Sequence, residues 1–325
     1  MDPNYIVGID LGGTKILTAR CDRRGQVLAQ TRIPTEAESG PDAVIARIFD
    51  TVKEVMEGCD PAHLIGVGIG APGPLDVATG VLFAPPNLPG WTAVPLRDIL
   101  GQWLRDHYGR PVRVEVGNDA NAAALGEYLF GVGAQRPGLR HMVYMTVSTG
   151  IGGGIISDGR LLLGRRGMAG EVGHMTIDVN GPRCKCGNIG CLEILAAGPA
   201  IAHAGTGLVA SGRGPILSRL VGGEPDRVTA ELVEDAARQG DPDACALLGQ
   251  VGHYLGVGVV NLIHLFNPEL VCIGGGVSKA GALIFDPLRA TVDALAMAPM
   301  REGVSIVPAL LGDQIGVLGA AALLF

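Results

Sequence analysis

The sequence predicts an α/β protein built as two lobes that face one cleft. Three observations carry that expectation. At 325 residues the chain exceeds what one ordinary core supports. Strand-like apolar runs alternate with segments of helical period along its length. A strand–glycine turn–strand unit occurs twice, near residues 6–20 and 142–157, so two similar hairpins can meet across a gap and clasp a nucleotide.

The elements follow in order. Residues 5–10, 15–21 and 26–33 read as strands joined by tight turns, an antiparallel meander and not a βαβ opening. Residues 41–57 read as a helix, because Val44, Ile45, Ile48, Val52, Val55 and Met56 keep helical spacing. Residues 64–69 form a buried strand that runs into Gly70-Ala-Pro-Gly-Pro74. A helix over 94–108 with Pro95 in its first turn, a strand over 111–116 and a helix over 120–130 closed by Gly131 come next. Beyond it, 141–147 is a strand, 148–154 a glycine turn, and Ile155 begins the returning strand. Helices then dominate to Phe266; 270–273 and 304–307 are strands, with a helix from about Lys279 between them. The apolar helix 315–325 is long enough to pack on either lobe. The expected division is a small lobe of 1–118 plus about 312–325, and a large lobe of 119–311.

Composition excludes several classes. The formal net charge is −7 and no basic run occurs, which argues against nucleic acid as a partner. Mean hydropathy is high at +0.33, yet the longest apolar run, about 254–266, is interrupted by Asn261 and His264 and falls short of a membrane span. The opening Met1-Asp2-Pro3-Asn4 lacks the charged-then-apolar pattern of a leader, so a cytoplasmic protein is expected. Seven cysteines, an odd number in a long chain, do not read as a disulfide framework.

Six motifs carry chemistry. Asp10-Leu-Gly-Gly-Thr-Lys15 offers Gly12 and Gly13 for close approach of backbone N–H groups to phosphate, a Thr14 hydroxyl, and Lys15, one of four lysines in the chain. Asp10 at the strand end suits Mg²⁺ held through water. The Walker spacing is absent and the loop opens into a strand, so neither a P-loop nor a Rossmann turn is expected; a bare hairpin is the alternative. Thr149, Gly150 and Gly152 offer the same chemistry from the second unit, and Gly275 and Gly276 mark a nucleoside pocket or close helix–strand packing. In the Gly66–Gly73 stretch Pro72 and Pro74 forbid a helix start, which suggests a rigid loop whose Gly73 lines a sugar pocket. Asn118-Asp119, at a strand-to-helix junction, suits a general base with a hydroxyl-binding neighbour, or plain helix capping. Finally, His174, Cys184, Cys186 and Cys191 match the ligand set of a closed structural zinc site, with Glu171 and Glu193 beside it to meet sugar hydroxyls. Together these point to phosphoryl transfer onto a polar small molecule.

These motifs, with Gly117-Asn-Asp119-Ala-Asn-Ala-Ala, resemble the ROK family (repressors, uncharacterised reading frames and sugar kinases) from Ile6 to about Ala320. The resemblance implies the two-lobed actin-like ATPase fold, related to ribonuclease H. It implies Asp119 as the base for a sugar 6-hydroxyl, and Asn118, Glu171, His174 and Glu193 as sugar ligands. His174 would ligate Zn²⁺ through its other nitrogen. The glycine turns would hold ATP phosphates with Mg²⁺, and the assembly would be a homodimer or homotetramer. Family repressors carry an N-terminal helix-turn-helix for which a strand starting at Tyr5 leaves no room. Pro86-Asn-Leu-Pro-Gly-Trp91 looks most like the glucokinase members, with fructose, N-acetylmannosamine and allose kinases, or a non-catalytic sugar sensor, as alternatives.

Overall fold

A computed structural model describes residues 4–325; the leader expectation for the first three lies outside the described residues. The chain opens with β1 (Tyr5–Leu11), β2 (Lys15–Asp22) and β3 (Val27–Pro34), antiparallel as expected. Helix α1 (Pro41–Met56) follows, with Pro41 at its first turn. Its six predicted apolar positions are all buried. Strand β4 (Leu64–Ala71) pairs parallel with β1. A small sheet of two-residue strands that no sequence pattern announced comes next: β5 (Leu75–Asp76), β6 (Val81–Leu82) and β7 (Val94–Pro95). Val94 and Pro95 therefore belong to a strand, and α2 starts later than expected, at Leu96, running to Tyr108. Strand β8 (Arg113–Asn118) completes the first sheet, and α3 (Asp119–Leu129) leaves it. Gly131 does not close α3 in a left-handed conformation; it makes room for the Glu127 carboxylate, which a Cβ there would strike.

The second sheet contains β9 (Met142–Val147), β10 (Ile151–Ser157) and β11 (Arg160–Leu161). Helices α4 (Leu192–Ala196), α5 (Gly198–Ala210), α6 (Pro215–Leu220), α7 (Ala230–Arg238) and α8 (Pro242–Phe266) fill the interval before β12 (Leu270–Gly274). Helices α9 (Ala282–Leu295) and α10 (Ala298–Arg301), strand β13 (Ser305–Pro308) and helix α11 (Ile315–Ala322) end the chain. Helix α8 is long and apolar enough to cross a membrane, but its apolar face packs in the core against α9 and α7.

The two large sheets share one topology. Their strand orders are β3-β2-β1-β4-β8 and β11-β10-β9-β12-β13, each an antiparallel triplet followed by two parallel strands. In-register pairs Asp10↔Gly70, Ala71↔Asn118 and Gly274↔Thr146 align the carboxyl ends of the parallel strands, the usual side for ligands in such sheets. Helix α11 lies on the first sheet and crosses α3. Its backbone approaches so closely that a Cβ on Gly8 or Gly68 would overlap the carbonyl oxygens of Val317 and Ala320. At the crossing itself, Cβ atoms on Gly126 and Gly319 would come within 2.9 and 2.6 Å of the facing backbone.

Candidate active site

A cleft of about 1510 Å³ runs between the two sheets. That exceeds a single drug-sized pocket and suits two substrates side by side. Asp10, at the end of β1, and Asn118-Asp119, where β8 becomes α3, form its floor. Asn118 caps α3, and its amide nitrogen is left toward the Gly73 loop. Its Oδ1 caps α3 by accepting from the Ala120 and Asn121 N–H groups at 3.0 and 3.2 Å. Its Nδ2 faces the Gly73 loop, 3.7 Å from where a Cβ on Gly73 would sit. Asp119 Oδ1 accepts from the Ala120 N–H at 2.7 Å.

The Asp119 carboxyl opens to the cleft yet is walled in by protein. That enclosure raises its pKa, and the Asp10 and Glu171 carboxylates raise it further. Burial raises Asp10 as well, opposed by the Lys15 ammonium. Asp10, Asp119 and Glu171 thus bring three carboxyl groups, the donor type hard cations prefer, to one cleft.

The thiolate–imidazole set assembles as the spacing predicted. The ligand atoms of His174, Cys184, Cys186 and Cys191 all lie within 4.8 Å of one another. Cys186 Sγ is 3.7 Å from Cys191 Sγ, and Cys184 Sγ is 3.9 Å from His174 Nδ1. Four ligands around a tetrahedral zinc, with bonds of about 2.0–2.3 Å, sit roughly 3.5–3.8 Å apart, so the set fits that ion. A backbone N–H from Asn188 holds the Cys186 thiol below its usual range, while burial pushes Cys191 up to about 12. With Nδ1 toward the sulfurs, the His174 ring still lines the cleft, as do Glu171 and Glu193.

The glycine turns divide. Lys15 lines the cleft, whereas Gly12, Gly13 and Thr14 form the turn behind it. Thr35 ties that turn down, its N–H bonding Thr14 O at 3.0 Å and its hydroxyl Gly12 O at 2.6 Å. The second turn is shorter than expected. It covers 148–150, and Gly152, Gly153 and Gly154 belong to β10. The cause is packing: Cβ atoms on Gly152 and Gly154 would come within 2.9 and 2.5 Å of Ala120 and Ala124 of α3. Thr149, Gly150 and Gly152 still line the cleft, with Gly275 and Gly276. The helix expected from Lys279 begins at Ala282, after a 3₁₀ turn at Gly276–Ala280.

The ROK family model matches residues 6–325. This chain belongs to the ROK family. It is 39% identical over 322 residues to a glucokinase of Thermotoga maritima, covering 98% of this chain and 96% of that one. A ROK family glucokinase from Streptomyces griseus, solved in complex with glucose and AMPPNP, superposes with a TM-score of 0.80 at 34% identity over 98% of this chain and 99% of that one. A xylose repressor of Caldicellulosiruptor bescii is 33% identical over 99% of this chain and 78% of its own length. The two-lobed actin-like fold expected of a ROK protein is therefore the fold of this chain.

Three features of this ROK chain were not read from its sequence. A side cavity of about 270 Å³, lined by Pro199, Ile201, Val228, Leu248 and Val277 with Thr229, Glu231 and Glu234 among its polar lining, shares Ser148, Thr149 and Gly276 with the cleft. Its walls come from separate helices, so no local pattern marks it. Asn87 reaches the cleft from the proline-rich loop, where Gly13 packs so tightly that a Cβ would sit 2.7 Å from it. Asn121, 3% exposed at the cleft wall, keeps a buried Oδ1 that has no hydrogen-bond partner among the described residues.

Proposed function

We propose that this ROK-family protein is an ATP-dependent hexose kinase that phosphorylates glucose at its 6-hydroxyl. The observation that carries the reading is Asp119. An enclosed carboxyl of raised pKa stands at the cleft floor, between sugar-binding side chains and glycine turns, in a chain 39% identical to a glucokinase. As general base, Asp119 accepts the proton of the 6-hydroxyl as the phosphoryl group transfers. Asn118 Nδ2, Glu171, His174 and Glu193 bind the remaining hydroxyls, and Gly73 lines the sugar's seat. Lys15, Thr149 and the cleft-lining Gly150, Gly152, Gly275 and Gly276 meet the nucleotide, with Gly12, Gly13 and Thr14 shaping the first turn. The side cavity seats the base. Asp10 would hold Mg²⁺, whose charge would offset that of the phosphates. Zn²⁺ in the His174, Cys184, Cys186 and Cys191 set is structural, because four protein ligands leave no place for water. We place the lobe boundary at Asp119 and near Gly312, with both crossings at the α3–α11 contact, and expect a homodimer or homotetramer.

The test is release of ADP from MgATP with a panel of hexoses. Glucose should turn over fastest, and Asp119→Ala should abolish turnover while sugar binding stays measurable. Likeness to a xylose repressor gives a second reading, a sugar-responsive regulator. Sugar binding without turnover of any hexose would establish that one instead.

A further inference from the structure

We propose that Glu193 is a positioning residue that ties the cysteine–histidine loop to the turn at residues 148–151, so that the loop sets affinity for the nucleotide as well as for the sugar. The inference rests on the kinase reading above. Cys191 is the N-cap of α4, and the next residue, Leu192, is fully buried, with its N–H bonded to Met175 O at 2.9 Å. Thr176 and Cys191 form a β-bridge. The first turn of α4 is thereby fixed to the segments that carry His174 and Cys191.

One residue further, Glu193 Oε2 accepts from the Ile151 N–H at 2.9 Å. Gly150 lies against the same oxygen, where a Cβ would sit 2.7 Å away. Just past the other end of α4, the Gly198 N–H donates to Ser148 O at 2.8 Å. The turn is thus gripped at both ends by α4 and its flank. It also forms the wall between the cleft and the side cavity, since Ser148 and Thr149 line both. A carboxylate has a second oxygen, so holding Ile151 leaves Glu193 able to accept a sugar hydroxyl as well.

The test is calorimetric titration with a non-hydrolysable ATP analogue and Mg²⁺, without sugar. Glu193→Ala should weaken binding about tenfold, or about 1.4 kcal/mol. Glu193→Gln keeps an oxygen that can accept from Ile151, so it should hold the analogue within about threefold of wild type while losing sugar affinity. Wild-type protein stripped by a chelator should weaken as Glu193→Ala does. If Glu193→Ala does not fold, Glu193→Asp, one methylene too short to reach, carries the same expectation. Analogue affinity in Glu193→Ala (or Glu193→Asp) equal to wild type would overturn the tie alone. Wild-type protein that binds glucose but no analogue would instead end the kinase reading.

Discussion

Glu127 is fully buried, and its carboxylate accepts three backbone N–H groups. Oε1 takes Leu310 and Leu311 at 2.9 and 2.7 Å, on the segment leading into α11; Oε2 takes Val132 at 3.1 Å, just past α3. The residue thus ties the end of α3 to the segment that enters α11. Glu127→Ala strands three donors, two of them on one short stretch. A buried donor left unmade costs about 1–3 kcal/mol; Val132 is buried, but Leu310 is 53% exposed and Leu311 half-buried, so water takes up part of their loss and about 3 kcal/mol is expected. Glu127→Gln keeps one oxygen for Leu310 and Leu311 but sets an NH₂ against the Val132 N–H, so it should lose about 2 kcal/mol. Equilibrium urea denaturation measures both. The ordering matters more than either value. A Glu127→Ala protein within about 1 kcal/mol of wild type, or a Gln variant as damaged as the Ala, would refute the accounting.

Three further outcomes follow from the site. The base must be ionised to work and its pKa is raised, so kcat/KM should fall on acidification through a value above the ordinary 3.8; an acid limb at or below 3.8 would contradict the enclosure argument. The same shift sets a sign for stability. A carboxyl whose folded pKa exceeds its unfolded one favours the fold fully below the unfolded value, and that contribution is lost as pH rises through the folded pKa. At neutral pH Asp119→Asn should therefore melt higher than wild type, with the gap closing in acid, as thermal scans across pH would show. Cys184→Ser, at a buried ligand, should lower bound zinc and release His174. Losing one hydrogen bond to the sugar corresponds to roughly 10–100-fold in sugar affinity, and metal analysis beside sugar titration tests both.

The parts of the site legible in the sequence are those whose chemistry is local. His174 to Cys191 spans eighteen residues, so the clustering of these four side chains was readable before any contact was known. Asn118-Asp119 was readable because a capping residue at a strand end marks a junction. The glycines of β10 misled for a physical reason. Glycine is a poor strand former, so the run looked like a turn; in the fold it is glycine because α3 presses its alanines onto that strand. The two-residue strands β5 to β7 are too short to show a period. Glu127 carries no local signal, because its partners at Leu310 and Leu311 lie more than 180 residues away.

The seating of α11 has a consequence for how the molecule is made. The strands β1 and β4 leave the ribosome well before α11, so the glycine face they share is covered only when residues 315–325 arrive. Arg113, on the same sheet, bonds the carbonyl of Leu324 at 3.0 Å. The part synthesised earlier is therefore finished later, and a nascent chain must keep that bare surface from straying until residues 315–325 are made.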